Sequence, residues 1–148
     1  MKILIENKQK KIKLDLRKVR GRITRLMKHL NCSDKEVSIL LVGDEEIQLL
    51  NKQYRGKNKP TNVLSFSLLE GECGNVNPQL LGDIVISVDT VQKDARKQDL
   101  SLERAMDLLI GHGLLHLLGY NHENTSKKEA RKMHQKEREL CEFLKDRL

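Results

Sequence analysis

The sequence predicts an α+β fold in which a mixed sheet of about four strands packs with about five helices. The chain has 148 residues, a common size for one domain, and 38% of them are apolar, which is enough for one core. Short segments with β-strand patterning are separated by longer segments with helical spacing of apolar residues, without internal repeats or low-complexity linkers. We therefore expect a single domain over residues 1–148.

The first half of the chain contains three predicted strands and two predicted helices. Short runs rich in apolar residues indicate the strands, of which the one at 36–42 ends at Gly43, and apolar residues at mostly helical spacing indicate the helices. Asp44 is the predicted N-cap of the second helix. The predicted elements are, in order, a strand at 2–5, a helix at 14–30, a strand at 36–42, a helix at 44–54 and a strand at 61–68.

The second half predicts one further strand and three helices. A strand at 80–88 is followed by a helix that Asp89 or Thr90 caps and that extends to about Gln98. Ser101 starts a helix that should end at Gly119, and a charged helix follows over residues 126–147.

The positive charge is concentrated at the start of the chain. The net charge is +7, whereas residues 1–30 carry eleven Lys or Arg and two acids, which is 11 − 2 = +9. Such a segment favours a phosphate-rich partner, RNA or DNA, over the alternative of a solvated helix face. The aromatic content of 3% and the absence of Trp disfavour binding by many stacked aromatic residues.

The sequence contains no pattern for export or for a membrane span. Its first apolar run is too short for a signal peptide, and no run reaches the roughly 20 apolar residues that cross a membrane. Cys32, Cys73 and Cys141 form no CxxC pair, so neither a disulfide framework nor a cysteine-based zinc site is predicted. We expect a soluble, cytoplasmic protein with no membrane partner.

Three histidines near the end of the predicted helix have the spacing of metal ligands. His112 and His116 are four residues apart, which places both rings on one face of a helix. Gly119 can end that helix with a positive φ, so that the chain turns back and brings His122 to the same point. Three imidazoles with an open fourth position are typical of a catalytic zinc site, although other divalent transition metals suit them too. The alternative is a pair of core histidines that extend an apolar stripe.

The same spacing occurs in the HExxHxxGxxH signature of zinc proteases, with one difference. Position 113 is Gly, whereas the signature has the Glu that acts as general base. The metal ligands are therefore kept and the proton acceptor is lost, which disfavours peptide hydrolysis by that route.

Three segments together resemble the YbeY family of bacterial endoribonucleases, also called rRNA maturation factors. Residues 112–122 read HGLLHLLGYNH, which is similar to the family's HGxLHLxGYDH. Arg55 and residues 60–66 resemble RxxxxPTDVLSF, and residues 81–87 read LGDIVIS, like the family's LGDIxIS. The sequence departs from the family with Asn62 and Asn121 in place of Asp and with Ser67 in place of Pro.

The resemblance implies a metal-dependent, single-strand-specific endoribonuclease that matures the 3′ end of small-subunit ribosomal RNA and acts in ribosome quality control. It assigns one zinc ion to His112, His116 and His122, and it assigns catalysis to Arg55. A divalent metal can lower the pKa of water towards about 7, and a guanidinium can hold two phosphoryl oxygens at once. Lys57 and Lys59 lie close to Arg55 in the sequence and are candidates for contacts with the RNA backbone. Ribosomal RNA and the small subunit are the expected partners, and DNA is not.

Two other functions remain open on the sequence alone. The first is a metalloprotease-like hydrolase with the same three-histidine site, in which another carboxylate replaces the missing base. The second is a non-catalytic ribosome-binding protein with a structural metal.

Overall fold

The computed structural model describes residues 2–67, 80–119 and 126–147. These residues form four strands and five helices, which confirms the predicted α+β fold with a mixed sheet. The strands are β1 (Lys2–Asn7), β2 (Glu36–Val42), β3 (Val63–Ser67) and β4 (Leu80–Ser87). The helices are α1 (Leu16–His29), α2 (Asp44–Arg55), α3 (Val88–Lys97), α4 (Leu102–Leu117) and α5 (Lys127–Arg147).

The sheet has the strand order β1-β2-β4-β3. Strands β1, β2 and β4 are parallel to one another, and β3 pairs with β4 in the antiparallel direction. Gly82 allows β3 and β4 to pair at their end, because its φ is +142° and a Cβ there would lie 2.1 Å from the carbonyl oxygen of Phe66. Any other residue at this position would force the two strands apart.

The two faces of the sheet pack against different helices. On one face, Ile39, Ile84 and Ile86 belong to the main core together with residues of α1, α4 and α5. On the other face, Leu64 and Val85 form a smaller core with residues of α2. This alternation follows from the two-residue period of strand side chains.

Helix α4 lies at the centre of the main core. It contacts α1, α3, α5, β3 and β4, and a helix that is enclosed on most sides needs apolar residues around most of its circumference. Neighbouring elements thus cover the apolar surface of α4. Among residues 2–67, 80–119 and 126–147, no helix combines the length and the apolar character that a membrane crossing requires.

The predicted N-caps of α2 and α3 were wrong. The N-cap residues are Gly43 and Ser87. Asp44 and Asp89 instead each form hydrogen bonds with the start of the other's helix. Asp44 accepts hydrogen bonds from the hydroxyls of Ser87 and Thr90 at the start of α3, while Asp89 Oδ2 accepts from the backbone N–H of Asp44 at 3.1 Å. This exchange arises because β2 and β4 are neighbours and end at the same edge of the sheet, which the sequence spacing does not show.

A buried ion pair joins α1 to α4. Arg22 Nε lies 2.6 Å from Asp107 Oδ1, and the two residues are 8% and 1% exposed. Burial raises the pKa of the Asp107 carboxyl, although the charge and hydrogen bond of Arg22 oppose this rise. Arg22 is thus an interior residue, although it is one of the eleven Lys and Arg of residues 1–30 that favour a phosphate-rich partner.

Cys32 is expected to resist alkylation while the protein is folded. Its thiol is buried, and burial raises the pKa to about 11, so the thiolate at pH 8 is about 100-fold scarcer than in an exposed cysteine. Iodoacetamide labelling followed by mass spectrometry should modify the Cys32 peptide slowly in buffer and rapidly in urea. Equal rates in the two conditions would show that the side chain is accessible in the folded protein.

Candidate metal centre and cleft

His112 and His116 present two ring nitrogens to one point beside α4. Their Nε2 atoms are 3.0 Å apart, and their rings are inclined at 75°. Two imidazoles that bind one tetrahedral metal at about 2.05 Å have nitrogens about 3.3 Å apart. The observed separation is close to that value, so these two residues fit a shared transition metal.

The end of α4 has the predicted geometry. The helix ends at Leu117, and Gly119 has a φ of +98° and donates its N–H to the carbonyl of His116 at 3.0 Å. The predicted turn at Gly119 is therefore confirmed. His122 and Asn121 lie outside the described residues, so the third ligand stays a prediction. Within the part of the chain that the structure describes, no group of three or more His, Cys, Asp or Glu could hold a metal.

A cleft of about 350 Å³ opens beside His112. Most of its wall is apolar, and its polar groups come from Asn62, His112 and Glu137. Asn62 precedes β3 and is anchored by its carbonyl, which accepts a hydrogen bond from the backbone N–H of Ser87 at 2.9 Å. The residues that line the cleft are Asn62, Val63, Leu108, Leu109, Gly111, His112, Glu137 and Leu140.

Arg55 is the last residue of α2, one position beyond the predicted end of this helix at residue 54. It is exposed, and Gly56 ends the helix with a φ of +70°. Arg55 is not among the described residues that line the cleft, although the segment that follows it leads directly to Asn62. Lys57 and Lys59 are also exposed. The structure thus brings His112 and His116 together.

The segment after Arg55 is attached to α2 by side-chain hydrogen bonds. Asn51, which is 2% exposed, donates from Nδ2 to the carbonyl of Lys59 at 3.0 Å. Gln48 donates from Nε2 to Asn58 Oδ1 at 3.0 Å. These bonds hold residues 58 and 59, which lie between Arg55 and Asn62 of the cleft.

Glu137 is a polar residue of the cleft that the sequence analysis missed. Its Oε1 lies 3.6 Å from His112 Nδ1. On α5, it stands four residues after buried Met133 and three before buried Leu140, so it occupies an apolar helical stripe. A charged residue within an apolar stripe was the signal by which Glu137 could have been found. The many other charges of α5 obscured it.

The basic segment forms an exposed surface, which is consistent with the expected phosphate-rich partner. All its Lys and Arg residues are exposed except Arg22. Arg20 also donates a hydrogen bond to the carbonyl of Ile3, which ties α1 to β1. The exposed basic residues are Lys2, Lys8, Lys10, Lys11, Lys13, Arg17, Lys18, Arg20, Arg25 and Lys28.

Gly113 faces the sheet and not the cleft. A Cβ at this position would lie 3.0 Å from Ile84 Cδ1 and 3.3 Å from both Cγ atoms of that residue. The close approach of α4 to β4 therefore requires glycine here. A glutamate would be driven into the core, so this position cannot supply the general base of the zinc-protease signature.

Gly113→Ala is expected to destabilise the fold by about 1–3 kcal/mol, the usual range for overpacking a core. Ile84→Val removes the nearest atom, so the double variant should lose less stability than the sum of the two single variants. Urea unfolding of the four proteins gives the coupling energy. Strict additivity would mean that Gly113 is not held against Ile84.

Comparisons with known proteins give a consistent family assignment. The family model for Endoribonuclease YbeY matches residues 4–145. The Endoribonuclease YbeY of Syntrophus aciditrophicus (strain SB) is 54% identical over 140 residues, which are 95% of this chain and 88% of that protein. The protein of the same name from Geobacter sulfurreducens is 38% identical over 146 residues, which are 99% of this chain and 97% of that protein.

A solved structure supports the same fold. The solution structure of TM1509 from Thermotoga maritima superposes with a TM-score of 0.62 at 28% identity, covering 98% of this chain and 93% of that one. With the family model and the relatives, it shows that the chain belongs to the YbeY endoribonuclease family.

Proposed function

We propose that this protein is a metal-dependent endoribonuclease that cuts single-stranded RNA in the cytoplasm. Its proposed role is the maturation of small-subunit ribosomal RNA at the 3′ end and ribosome quality control. Family membership supports the RNA substrate and the hydrolysis of phosphodiester bonds. The observation that carries the metal dependence is the 3.0 Å separation of the Nε2 atoms of His112 and His116.

The proposed metal ligands are His112, His116 and His122, and the proposed metal is one zinc ion. When bound, such an ion supplies a Lewis acid that makes a nucleophile available near neutral pH. Neutral imidazoles are the form that binds a metal. The cleft beside them is open to solvent, so an RNA strand can reach the two histidines.

Arg55 is the proposed partner of the scissile phosphate. Its planar guanidinium can donate two parallel hydrogen bonds to phosphoryl oxygens, on which negative charge builds during cleavage. The hydrogen bonds of Asn51 and Gln48 hold the segment that follows Arg55. Lys57, Lys59 and the exposed basic residues of α1 are proposed to bind phosphates further along the strand.

Two features bear on the rival functions. The packing of Gly113 against Ile84 speaks against a metalloprotease that uses the usual base. A ribosome-binding protein with a structural metal would share the basic surface, but a structural zinc site normally has four protein ligands and no open position. The cleft next to His112 favours a catalytic site.

The test compares RNA cleavage by the wild type and by Arg55→Ala and Arg55→Lys. A single-stranded oligoribonucleotide should be cut and its duplex form should not, and metal analysis should find one zinc ion per chain. We expect Arg55→Ala to lower kcat about 10²- to 10³-fold, as the loss of a hydrogen-bond donor to a developing oxyanion does. Lysine should restore little, because it lacks the two-donor geometry.

Arg96→Ala is the matched control, since Arg96 is also exposed in the last turn of a helix. Its activity should equal that of the wild type. Full activity of Arg55→Ala would contradict the role of Arg55, and intact RNA with every variant would contradict the function itself. The chemistry at the cut ends would distinguish attack by water from attack by the RNA 2′-hydroxyl.

A further inference from the structure

We propose that Glu137 is a positioning residue that orients His112 for metal binding from the outer side of the site. This inference rests on the metal site of the proposed function and adds a residue from α5 to it. The observation that carries it is the position of the His112 ring, which lies between the carboxylate of Glu137 and the Nε2 of His116.

The two nitrogens of the His112 ring face different partners. Nε2 faces His116 Nε2 at 3.0 Å, and Nδ1 faces Glu137 Oε1 at 3.6 Å. A histidine that binds a metal through one nitrogen usually donates the N–H of the other to a carboxylate or a carbonyl, which fixes the tautomer and the ring orientation. The Glu137 carboxylate occupies that second position.

The distance of 3.6 Å exceeds a hydrogen bond by about 0.7 Å. A small rotation of the flexible Glu137 side chain can close this difference. The side chains of His112 and Glu137 are 27% and 33% exposed, so water competes only partly for the carboxylate. A partly shielded carboxylate favours the N–H of Nδ1 more strongly than a solvated one does.

A glycine sets the distance between the two helices. A Cβ at Gly111 would lie 3.2 Å from Leu140 Cδ1, so α4 and α5 approach each other closely at this point. Gly111 immediately precedes His112, and Leu140 follows Glu137 by three residues, about one turn of α5. The small residue at 111 is therefore what allows Glu137 to reach His112.

The test measures zinc affinity of metal-free proteins at pH 7 by competition with a chromophoric chelator. Glu137→Ala should weaken zinc binding about 10- to 100-fold, the range for loss of an outer partner of a metal ligand. Glu137→Gln should fall between the wild type and Glu137→Ala, because its amide oxygen still accepts a hydrogen bond but carries no charge. Glu139→Gln is the control, since Glu139 lies on the same helix, is exposed and pairs with Lys136; it should bind like the wild type.

A second variant changes the distance between α4 and α5 and keeps the carboxylate of Glu137. Gly111→Ala should push Leu140 and α5 outward and weaken zinc binding, while alanine keeps α4 helical. The melting temperature of the metal-free protein separates the two possible roles of Glu137. A positioning role leaves it unchanged in Glu137→Ala and Glu137→Gln, whereas a purely structural role lowers it.

The outcomes distinguish this inference from the function on which it rests. A wild type that binds no zinc overturns both. If the wild type binds zinc and Glu137→Ala binds it within twofold as tightly, the metal site stands and the role of Glu137 is overturned. A loss of affinity that matches a loss of metal-free stability in both Glu137 variants also overturns it.

Discussion

His116→Ala is expected to lower zinc affinity and RNA cleavage by more than about 100-fold, beyond the effect of losing an outer partner of a ligand. His116 and His112 supply the two nitrogens that converge at 3.0 Å, and a single remaining imidazole on α4 cannot hold the ion in one place. His116 is half-buried near the end of the helix, so alanine should leave the fold intact. Elemental analysis, zinc competition and cleavage of a single-stranded oligoribonucleotide measure the effect.

His134→Ala provides the control for this substitution. His134 is an exposed histidine of α5 and is not among the described residues that line the cleft. It should match the wild type in zinc content and cleavage, and circular dichroism should show the same helical content in all three proteins. A zinc-loaded, active His116→Ala protein would exclude this residue as a ligand.

Arg22→Met should destabilise the fold by about 3–5 kcal/mol at neutral pH, because it leaves the carboxylate of Asp107 buried without its counter-ion. Asp107 is 1% exposed, and its Oδ2 has no hydrogen-bond partner among the described residues. The folded protein raises the pKa of this carboxyl, so the folded state binds its proton more readily than the unfolded state. The deficit in stability should therefore grow as pH rises through that pKa and shrink in acid.

Replacing both partners provides the decisive comparison. Arg22→Met with Asp107→Leu removes both charges and should be neutral or more stable than the wild type by about 1–4 kcal/mol. Arg17→Met is the control, since Arg17 is an exposed arginine of the same helix. Urea unfolding at pH 5 and pH 8 measures all four proteins. A double variant as unstable as Arg22→Met would show that the pair stabilises the fold by more than charge compensation.

Most of the fold could be predicted from the sequence because its elements have clear periodicity. The strand at 36–42 and the helix ends at Ser101 and Gly119 depend on local patterns of apolar residues and on local capping. The N-caps of α2 and α3 could not be predicted, since Asp44 and Asp89 exchange partners across two neighbouring strands. Strand order decides that exchange, and strand order is a long-range property.

The residues of the candidate site also divide into those that local sequence patterns predict and those that depend on long-range contacts. The pair His112 and His116 could be predicted because helical geometry alone brings residues four apart to one face. Glu137 could not be placed beside His112, because its contact depends on how closely α5 approaches α4. The burial of Arg22 could not be predicted, because nothing next to it in the sequence shows that Asp107 lies opposite in the folded chain.

The hydrogen bonds that Asp44 and Asp89 form with each other's helix have a consequence for the motion of α2 and α3. If α3 opens, the backbone N–H of Asp44 loses its acceptor, and if α2 opens, the hydroxyls of Ser87 and Thr90 lose theirs. We therefore expect the two helices to open and close together as one cooperative unit. Because Arg55 is the last residue of α2, the time for which it keeps its position depends on α3. That helix contributes no described residue to the cleft.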